Sequence, residues 1–435
     1  MNRTLFTSIV SAVVLLSATV SCQRVTDEQQ LAREIAGDER MQQVKEMALE
    51  MIATGFDAGD AYAEVWIRDY TTFMELAMEV HDHEDIRENL RVFFRFQAPD
   101  GGIVDGFKPT ELQWPGGYDY IFTPLEPDRV AHKNTVETDH EASLIQGVYR
   151  YIQRSGDVDF LQETIDGQTI AERLLLAVDF LLNERMSEQY GLIWGATTTD
   201  WGDVQPEHEW GVFITDDTHF AVEIYDNAMF LIALKNLAEL LPNEADRLMG
   251  IYDEIAANAM EHLWDPERRQ FVPHRYLDGS PFPDDFEEDA IYQHGGTAMA
   301  IQAGLLDTDE VRHALERMRA NVRAAGAATI GLTLYPPYPE GFFMNPGMGP
   351  FSYQNGGDWT WFGGRMIHQL QQHGLVWEAW QEAVPMFDRV LENDGFYEWY
   401  TIHNEPMGSG TFRGSAGVLF TAIEWFEAWA AEQLD

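Results

Sequence analysis

Carboxylates and aromatic side chains occur together in two stretches of the chain. The stretch 194–210 (WGATTTDWGDVQPEHEW) places Asp200 and Asp203 beside Trp201, and the stretch 394–406 (DGFYEWYTIHNEP) places Glu398 among aromatic residues. A carboxylate is costly to remove from water unless it is paired or used. Two separated carboxylates in an aromatic pocket are what glycoside hydrolysis requires, one to protonate the leaving oxygen and one to activate water. We therefore expect acid–base chemistry from these stretches.

A third stretch, 61–70 (AYAEVWIRDY), combines an indole, a guanidinium and a carboxylate before an apolar helix. Arg68 and Asp69 could form an ordinary capping salt bridge. They could also clamp a sugar ring, because Arg donates in a planar fork, Asp accepts from hydroxyls and the indole of Trp66 stacks on the ring face. Both interpretations stay open at this point.

Two more polar clusters stand at predicted helix starts. The stretch 133–143 (KNTVETDHEAS) contains Asp139, and acids at this position are favoured by the helix dipole whether or not they bind a ligand. The stretch 352–366 (SYQNGGDWTWFGGRM) contains Tyr353, Asn355 and Trp359. Its Asn-Gly-Gly turn allows unusual backbone angles and a close approach of main chain to ligand.

Other chemistries find little support in the sequence. The chain has no P-loop, zinc motif or G-x-S-x-G, and its histidines are not at metal-ligand spacing. We therefore expect no cofactor and no metal. The 435 residues include 28 basic and 73 acidic residues, a net charge of −45. A phosphate backbone would be repelled, so nucleic acid is excluded as a partner.

The N-terminus has the pattern of an export signal. Residues 1–22 (MNRTLFTSIVSAVVLLSATVSC) have a basic start, an apolar run too short to span a membrane and small residues before Cys22, the single cysteine. This position resembles the lipidation site of a bacterial lipoprotein. We predict a signal at 1–22, lipidation at Cys22, a tether at 23–28 and one domain over 29–435. The lipid anchor, at the periplasmic or outer-membrane surface, would be the only membrane attachment.

Helical periodicity covers nearly all of the remaining chain. Tight polar turns alternate with long loops rich in Gly, Pro, Trp and acids. This alternation predicts an all-α (α/α)6 toroid of six helical hairpins, in which the long loops gather at one end and form a funnel for the active site. The predicted helices cover 28–54, 70–80, 84–97, 139–154, 157–186, 218–240, 244–263, 290–303, 308–323, 358–373, 376–392 and 412–432.

The motifs resemble those of a known group of enzymes over roughly residues 60–430. WIRDY looks like the Arg–Asp motif of the six-hairpin (α/α)6-barrel glycosidases, a group that includes glucoamylases, glucosidases related to glucosylglycerate hydrolases, and alkaline and neutral invertases. SYQNGGDWTW is similar to a stretch of the invertases. GFYEWY falls where those enzymes carry the catalytic base, which implies that role for Glu398.

The resemblance also implies a general acid and a sugar subsite. TTTDWGD occupies the place of the acid loop, so Asp200 is the expected acid, with Asp203 and Asp139 as alternatives. The expected substrate-binding residues are Trp66, Arg68, Asp69, Asp139, Trp201, Tyr353, Asn355 and Trp359.

The expected function is exo-acting, inverting hydrolysis of a small α-linked saccharide, such as an α-glucoside. Two alternatives stay open. One is a sugar-binding surface lipoprotein without catalysis, which would need the aromatic residues but not both carboxylates. The other is a polysaccharide lyase on the same toroid, which would need a cationic site, whereas these loops are acidic.

Overall fold

The computed structural model describes residues 27–113, 119–209 and 212–434. The predicted signal, Cys22 and most of the predicted tether lie outside these residues, and the lipid anchor stays a prediction. None of the helices in the described part of the chain is both long and apolar enough to cross a membrane.

The predicted toroid of helical hairpins is confirmed. After a first helix, α1, over residues 27–36, outer and inner helices alternate along the chain. The outer helices are α2 (Glu39–Ile52), α4 (His83–Phe96), α6 (Ile170–Glu184), α8 (Ala245–His262), α10 (Thr308–Ala325) and α12 (Val376–Asn393). The inner helices are α3 (Ile67–Met78), α5 (His140–Ser155), α7 (Ile224–Leu240), α9 (His294–Ala303), α11 (Thr360–Gln372) and α13 (Arg413–Leu434).

Burial explains which helices are inside. Each inner helix packs on the next inner helix, and α13 returns to α3, so the ring is closed. Helix α7 is buried on nearly all sides, as its almost continuous apolar sequence requires. Helix α4 is amphipathic, with Ile86, Leu90 and Phe93 buried and Glu84 and Glu88 on the outer face. An outer helix thus needs one apolar face, whereas an inner helix such as α7 needs apolar residues on nearly all sides.

The long loops carry short antiparallel strands. One sheet contains β1 (Val65–Trp66), β2 (Gly106–Pro109) and β3 (Arg129–His132), and another contains β6 (Met186–Ser187), β7 (Leu192–Ala196), β8 (Phe220–Val222) and β11 (Arg275–Tyr276). The remaining strands form pairs: β4 (Thr164–Ile165) with β5 (Gln168–Thr169), β9 (Trp264–Asp265) with β10 (Gln270–Phe271), β12 (Tyr292–Gln293) with β13 (Leu334–Tyr335), and β14 (Trp399–Tyr400) with β15 (Pro406–Met407).

Two predicted helices are divided in the structure. The predicted helix 28–54 breaks at Gly37, and Asp38 caps the second part by accepting hydrogen bonds from the backbone N–H groups of Arg40 and Met41. The predicted helix 157–186 begins only at Ile170, where Thr169 and Glu172 form a capping box. Helical periodicity did not reveal either cap.

All inner helices begin at the same end of the barrel. The connections that follow inner helices are mostly short, such as 304–307 and 373–375, whereas long loops follow most outer helices. The long loops, such as 263–293 and 326–359, therefore meet above the N-termini of the inner helices, which is where the active site was expected.

A buried ion pair joins the start of α11 to α12. Arg389, on α12, places Nη1 at 2.9 Å from Oδ1 of Asp358, and both side chains are almost fully buried. Asp358 also accepts hydrogen bonds from the backbone N–H and the hydroxyl of Thr329, at 2.9 and 2.6 Å. Its backbone pairs with that of Tyr400, two residues after Glu398. The ion pair therefore fixes the strand β14, which directly follows the predicted catalytic residue Glu398.

We predict that Arg389→Met lowers the free energy of unfolding by about 3–5 kcal/mol, because it leaves the Asp358 carboxylate buried without its counter-charge. Urea denaturation at neutral pH measures this loss. Arg312→Met is the matched control, since Arg312 pairs with Glu378 at 3.1 Å on the exposed surface and should change stability by less than about 1 kcal/mol. Equal losses in the two variants would contradict the structural role of the buried pair.

Candidate active site

A cavity of about 480 Å³ opens at the end of the barrel where the inner helices begin. Its wall comes from the first turns of inner helices and from the long loops. Seven predicted site residues line it together: Trp66, Arg68, Asp69, Trp201, Tyr353, Trp359 and Glu398. Asp203, an alternative candidate for the general acid, lines it as well. The structure therefore brings residues from four distant stretches of sequence to one place.

Arg68, in the first turn of α3, forms the charged floor of the cavity. Its guanidinium donates to both oxygens of Asp139, at 2.7 and 3.1 Å, and to the carbonyl of Trp201, at 3.2 Å. Glu137 lies 2.7 Å from the same guanidinium. Asp139 also accepts from the hydroxyl of Tyr225 at 2.9 Å. The group thus ties α3, α5 and α7 to the loop that carries the candidate acids.

Asp69, beside Arg68, has an unused acceptor. Its Oδ1 is buried without a hydrogen-bond partner in the described residues, and the side chain lines the cavity. Burial raises the pKa of Asp69 to about 8, although the charge of Arg68 acts in the opposite direction. A hydroxyl-rich ligand would supply the missing partner.

Glu398 is held through one of its two oxygens. Its Oε2 accepts from the Tyr62 hydroxyl at 2.9 Å and from the backbone N–H of Ser409 at 3.2 Å. Gly408, at φ +70°, permits this contact, since a Cβ there would lie 2.4 Å from Oε2. Burial raises the pKa of Glu398, and these two donors act against that rise. The arrangement orients the carboxyl group and leaves Oε1 for the cavity.

Asp203 faces the same cavity from the opposite loop. Its Oδ1 accepts from Nε2 of Gln354 at 2.7 Å, and its backbone N–H donates to Oε1 of Gln354 at 3.3 Å. Burial raises the pKa of Asp203, with Gln354 and Arg68 acting to lower it. The neighbouring charge of Asp203 in turn contributes to the raised pKa of Glu398. The two carboxyl groups therefore interact across the cavity.

The structure corrects the placement of Asp200. Asp200 is fully buried outside the cavity wall, and its two oxygens each accept a 2.7 Å hydrogen bond from the backbone N–H groups of Gly295 and Gly296, at the start of α9. Both glycines are required, because a Cβ on either would lie within 2.8 Å of the carboxylate. Asp200 caps a helix and cannot reach a sugar in this cavity.

Two other expected sugar ligands are also structural. Asp139 is fully buried and acts on the cavity only by holding Arg68. Asn355 is fully buried and bonds to the backbone of Tyr338 and Met348 on the long loop before α11. Neither residue lines the cavity. Their polar side chains satisfy buried backbone groups and a buried cation, which the sequence alone does not distinguish from ligand binding.

Aromatic rings form the rest of the wall. Trp201 stacks on Phe362 with ring centres 4.4 Å apart, and Trp359 packs edge-on against Trp201 at 4.8 Å. The indole N–H groups of Trp66 and Trp201 are buried without an acceptor in the described residues. These donors and the apolar ring faces suit a sugar, which presents both hydroxyls and apolar C–H faces.

Several cavity residues were not predicted as ligands. Tyr62 and Gln354 position the two carboxyl groups, and both stand inside motifs singled out from the sequence, AYAEVWIRDY and SYQNGG. Asp105, Glu137 and His140 offer atoms within 4.8 Å of one another and are the one group in the described residues that could hold a metal ion. Arg68 already lies 2.7 Å from Glu137, which disfavours a cation there.

Solved structures of similar architecture are glycosidases. A GH63 mannosylglycerate hydrolase from Thermus thermophilus, in complex with glucose, matches 87% of this chain and 99% of its own, with a TM-score of 0.62 and 14% identity. A rhamnosidase from Klebsiella oxytoca with rhamnose bound matches 89% of this chain, with a TM-score of 0.58 and 15% identity, and this chain spans 64% of its length. A GH78 rhamnosidase from Bacillus sp. GL1 matches 88% of this chain and 34% of its own, with a TM-score of 0.57 and 13% identity.

These similarities establish the fold, the (α/α)6 toroid. No family model and no curated protein matches the sequence. The chain therefore shares the architecture of these glycosidases at a sequence distance where activity has to be argued from the site.

We predict that Asp69→Asn stabilises the unliganded protein at pH 8. The pKa of Asp69 is about 8 in the folded protein, against 3.8 for an unperturbed aspartate, so ionisation favours the unfolded chain increasingly as pH rises from about 4 to 8. Because an asparagine cannot ionise, the variant does not lose stability in this way. Its free energy of unfolding at pH 8 should exceed that of the wild type by at least about 1 kcal/mol.

Urea denaturation at pH 4 and pH 8 measures this difference. At pH 4 the two proteins should be equally stable, which makes the acidic measurement the control. A variant that is less stable than the wild type at pH 8 would show that Asp69 is ionised and favourably paired, contrary to its buried free oxygen.

Proposed function

We propose that the protein is an exo-acting, inverting glycoside hydrolase in which Asp203 is the general acid and Glu398 the general base. The observation that carries the proposal is that two carboxyl groups on different loops, the buried Glu398 and the half-buried Asp203, face one aromatic-walled cavity. Inner-helix residues such as Arg68 and Trp361 close its floor. A cavity closed at one end accommodates the end of a saccharide, which supports exo action.

The surroundings of Asp203 suit an acid. A group that protonates the leaving oxygen must carry its proton near neutral pH, and burial raises the pKa of Asp203. Gln354 donates to Oδ1, so Oδ2 is the oxygen that would carry the proton of the acid form. Oδ2 can then donate to a glycosidic oxygen. This assignment replaces Asp200, whose two oxygens are occupied by backbone donors.

The surroundings of Glu398 suit a base. Tyr62 and the Ser409 N–H both donate to Oε2, and such donors favour the ionised form. The opposing rise from burial makes the carboxylate a stronger base. Its Oε1 can accept a proton from a water that attacks the anomeric carbon from the face opposite Asp203, which would invert the configuration.

Two other functions fit the cavity less well. A sugar-binding protein needs the aromatic walls but has no use for two carboxyl groups with raised pKa values that face the same cavity. A polysaccharide lyase needs cations to neutralise a uronate. Among the described residues, Arg68 is the only Lys or Arg that lines the cavity. Arg68 is already paired with Asp139.

We expect Asp203→Asn and Glu398→Gln each to lower kcat by at least about 10²-fold on a glucosyl disaccharide, with little change in KM, because each keeps its shape and loses the proton transfer. Sugar release from the purified protein measures this. The Asp203 variant should recover on an aryl glycoside with a good leaving group, which needs little protonation. NMR of the fresh product should show the inverted anomer.

Asp200→Asn is the matched control for Asp203→Asn. It replaces one of two acceptor oxygens with a donor facing a backbone N–H, so it should lower thermal stability and show no recovery on the activated substrate. Recovery in Asp200→Asn and none in Asp203→Asn would return the acid role to Asp200. Near wild-type activity in Glu398→Gln would remove Glu398 as the base.

The charge of the cavity supports a neutral substrate. Five carboxyl groups line it, on Asp69, Asp105, Glu137, Asp203 and Glu398, and three of them remain to carry negative charge when Asp69 and Asp203 are protonated. An additional carboxylate on the substrate would meet like charge, which costs several kcal/mol when groups are juxtaposed. We therefore propose a small neutral saccharide, such as an α-glucoside.

We expect kcat/KM for a neutral α-glucosyl disaccharide to exceed that for α-glucosylglycerate by at least about 10-fold, corresponding to about 1.4 kcal/mol. Parallel assays at physiological ionic strength test this. A preference for the glycerate conjugate would contradict the neutral-substrate proposal, while leaving the acid–base pair to be judged by its own variants.

A further inference from the structure

A second cavity lies on the barrel axis at the end opposite the candidate active site. It has a volume of about 320 Å³ and is lined mostly by polar side chains from the middle and C-terminal parts of the inner helices. Each inner helix contributes at least one: Glu75, Arg150, Asn236, Gln302, Arg365 and Glu424. None of the residues that line this rear cavity also lines the catalytic cavity.

Arg365, on α11, differs from the other arginines of the rear cavity in its burial and in its hydrogen-bond partners. Its side chain is 8% exposed, and its guanidinium lies over the rings of Trp361 and Phe362, at 5.2 and 5.0 Å. It donates to Thr72 Oγ1 at 2.7 Å and to the sulfur of Met299, a weak acceptor, at 3.2 Å. These two contacts use only some of the five N–H donors that a guanidinium carries.

No carboxylate of the described residues lies within 4.0 Å of Arg365. The other two arginines of the rear cavity are paired. Arg150 contacts Glu75 at 2.9 and 3.0 Å, and Arg154 contacts both Glu424, at 3.0 Å, and Glu79. Arg365 is thus the one arginine of the rear cavity, among the described residues, without a carboxylate partner.

A buried cation without a counter-charge is strongly unfavourable. Burial, together with repulsion from the charges of Arg150 and Arg68, lowers the pKa of Arg365 to about 10, although Tyr225 and Asp139 act in the opposite direction. The amides of Asn236, Gln302 and Gln369 supply further uncharged donors around the same space. The cavity therefore combines an arginine without a carboxylate partner, N–H donors and free volume.

We propose that the rear cavity binds a small monovalent anion, chloride with its waters, and that Arg365 is its counter-ion. The C-termini of the inner helices, which disfavour anions, do not oppose this strongly. Arg365 lies seven residues before the end of α11, about 10 Å along the helix axis, and the dipole effect is confined to the last turn.

The anion site connects to the catalytic cavity through Thr72. The Thr72 hydroxyl accepts from Arg365 and, at 3.0 Å, from the indole N–H of Trp361, and it donates to the carbonyl of Arg68 at 2.9 Å. Trp361 and Arg68 both line the catalytic cavity. Neutralising Arg365 would therefore stabilise the floor on which the sugar is proposed to rest.

Bromide, which scatters anomalously, tests the site directly. Crystals of the mature protein grown without halide and soaked in sodium bromide should show an anomalous peak within about 4 Å of the Arg365 guanidinium, the range of a charge-assisted contact. The peak should persist in Arg312→Gln, the matched control on the exposed surface, and disappear in Arg365→Gln. An absent wild-type peak, or one that survives Arg365→Gln, would overturn the proposal.

A measurement in solution distinguishes a site that is filled in solution from one that binds bromide only at the concentration of the crystal soak. Chloride should raise the melting temperature of the wild type when it replaces gluconate at constant ionic strength, because a ligand of the folded state stabilises it. Arg365→Gln should lose this rise. If that variant fails to fold, Arg365→Lys, which keeps the charge, should retain both the peak and the rise. An equal melting temperature in chloride and gluconate would contradict a site that is filled in solution.

Discussion

The charge of Arg68 is the constraint around which the catalytic end is organised. A guanidinium at the closed floor of a barrel must be paired, and Asp139 provides a bidentate partner that is itself fully buried. Because Asp139 starts α5 and is anchored by Tyr225 of α7, the ion pair fixes three inner helices relative to one another. Arg68 also holds the carbonyl of Trp201, so the loop with the proposed acid is positioned by the same charge.

That loop carries two carboxylates only three residues apart and directs them to different parts of the structure. Asp200 adopts a positive φ of 56°, and the backbone N–H of Gly202 closes a turn on Thr199 at 3.0 Å. Asp200 consequently turns toward the start of α9, while Asp203 faces the cavity. One carboxylate stabilises the fold by capping a helix, and the other is available for chemistry. The stability of the loop and the position of the proposed acid therefore depend on each other.

The helical architecture could be predicted from sequence because its signal is repeated many times. Apolar spacing such as Ile86, Leu90 and Phe93 marks an outer helix, and long loops rich in glycine and tryptophan mark the functional end. The motifs also located Arg68, Asp69 and Glu398 correctly at the cavity. These residues stand at the first turns of inner helices or beside short strands, where the fold determines the direction of the side chain.

The acid could not be assigned in the same way. Asp200 and Asp203 have similar neighbours in sequence, and only the backbone turn between them determines which one faces the cavity. Asn355 and Asp139 were misplaced for a related reason, since a polar residue that satisfies buried groups has the same sequence signature as one that binds a ligand. Tyr62 and Gln354 act through contacts with residues 336 and 151 positions away, which sequence spacing does not indicate.

The most direct test of the proposed acid–base pair is a crystal structure of the inactive Glu398→Gln variant with an intact neutral α-glucosyl disaccharide. We expect the glycosidic oxygen within hydrogen-bond distance of Asp203, and a water between the residue at position 398 and the anomeric carbon. We also expect a separation of about 6.5–9.5 Å between the carboxyl groups in the wild type, as inverting enzymes require. A sugar bound with its glycosidic oxygen away from Asp203, or carboxyl groups about 5 Å apart as in retaining enzymes, would contradict the proposed pair.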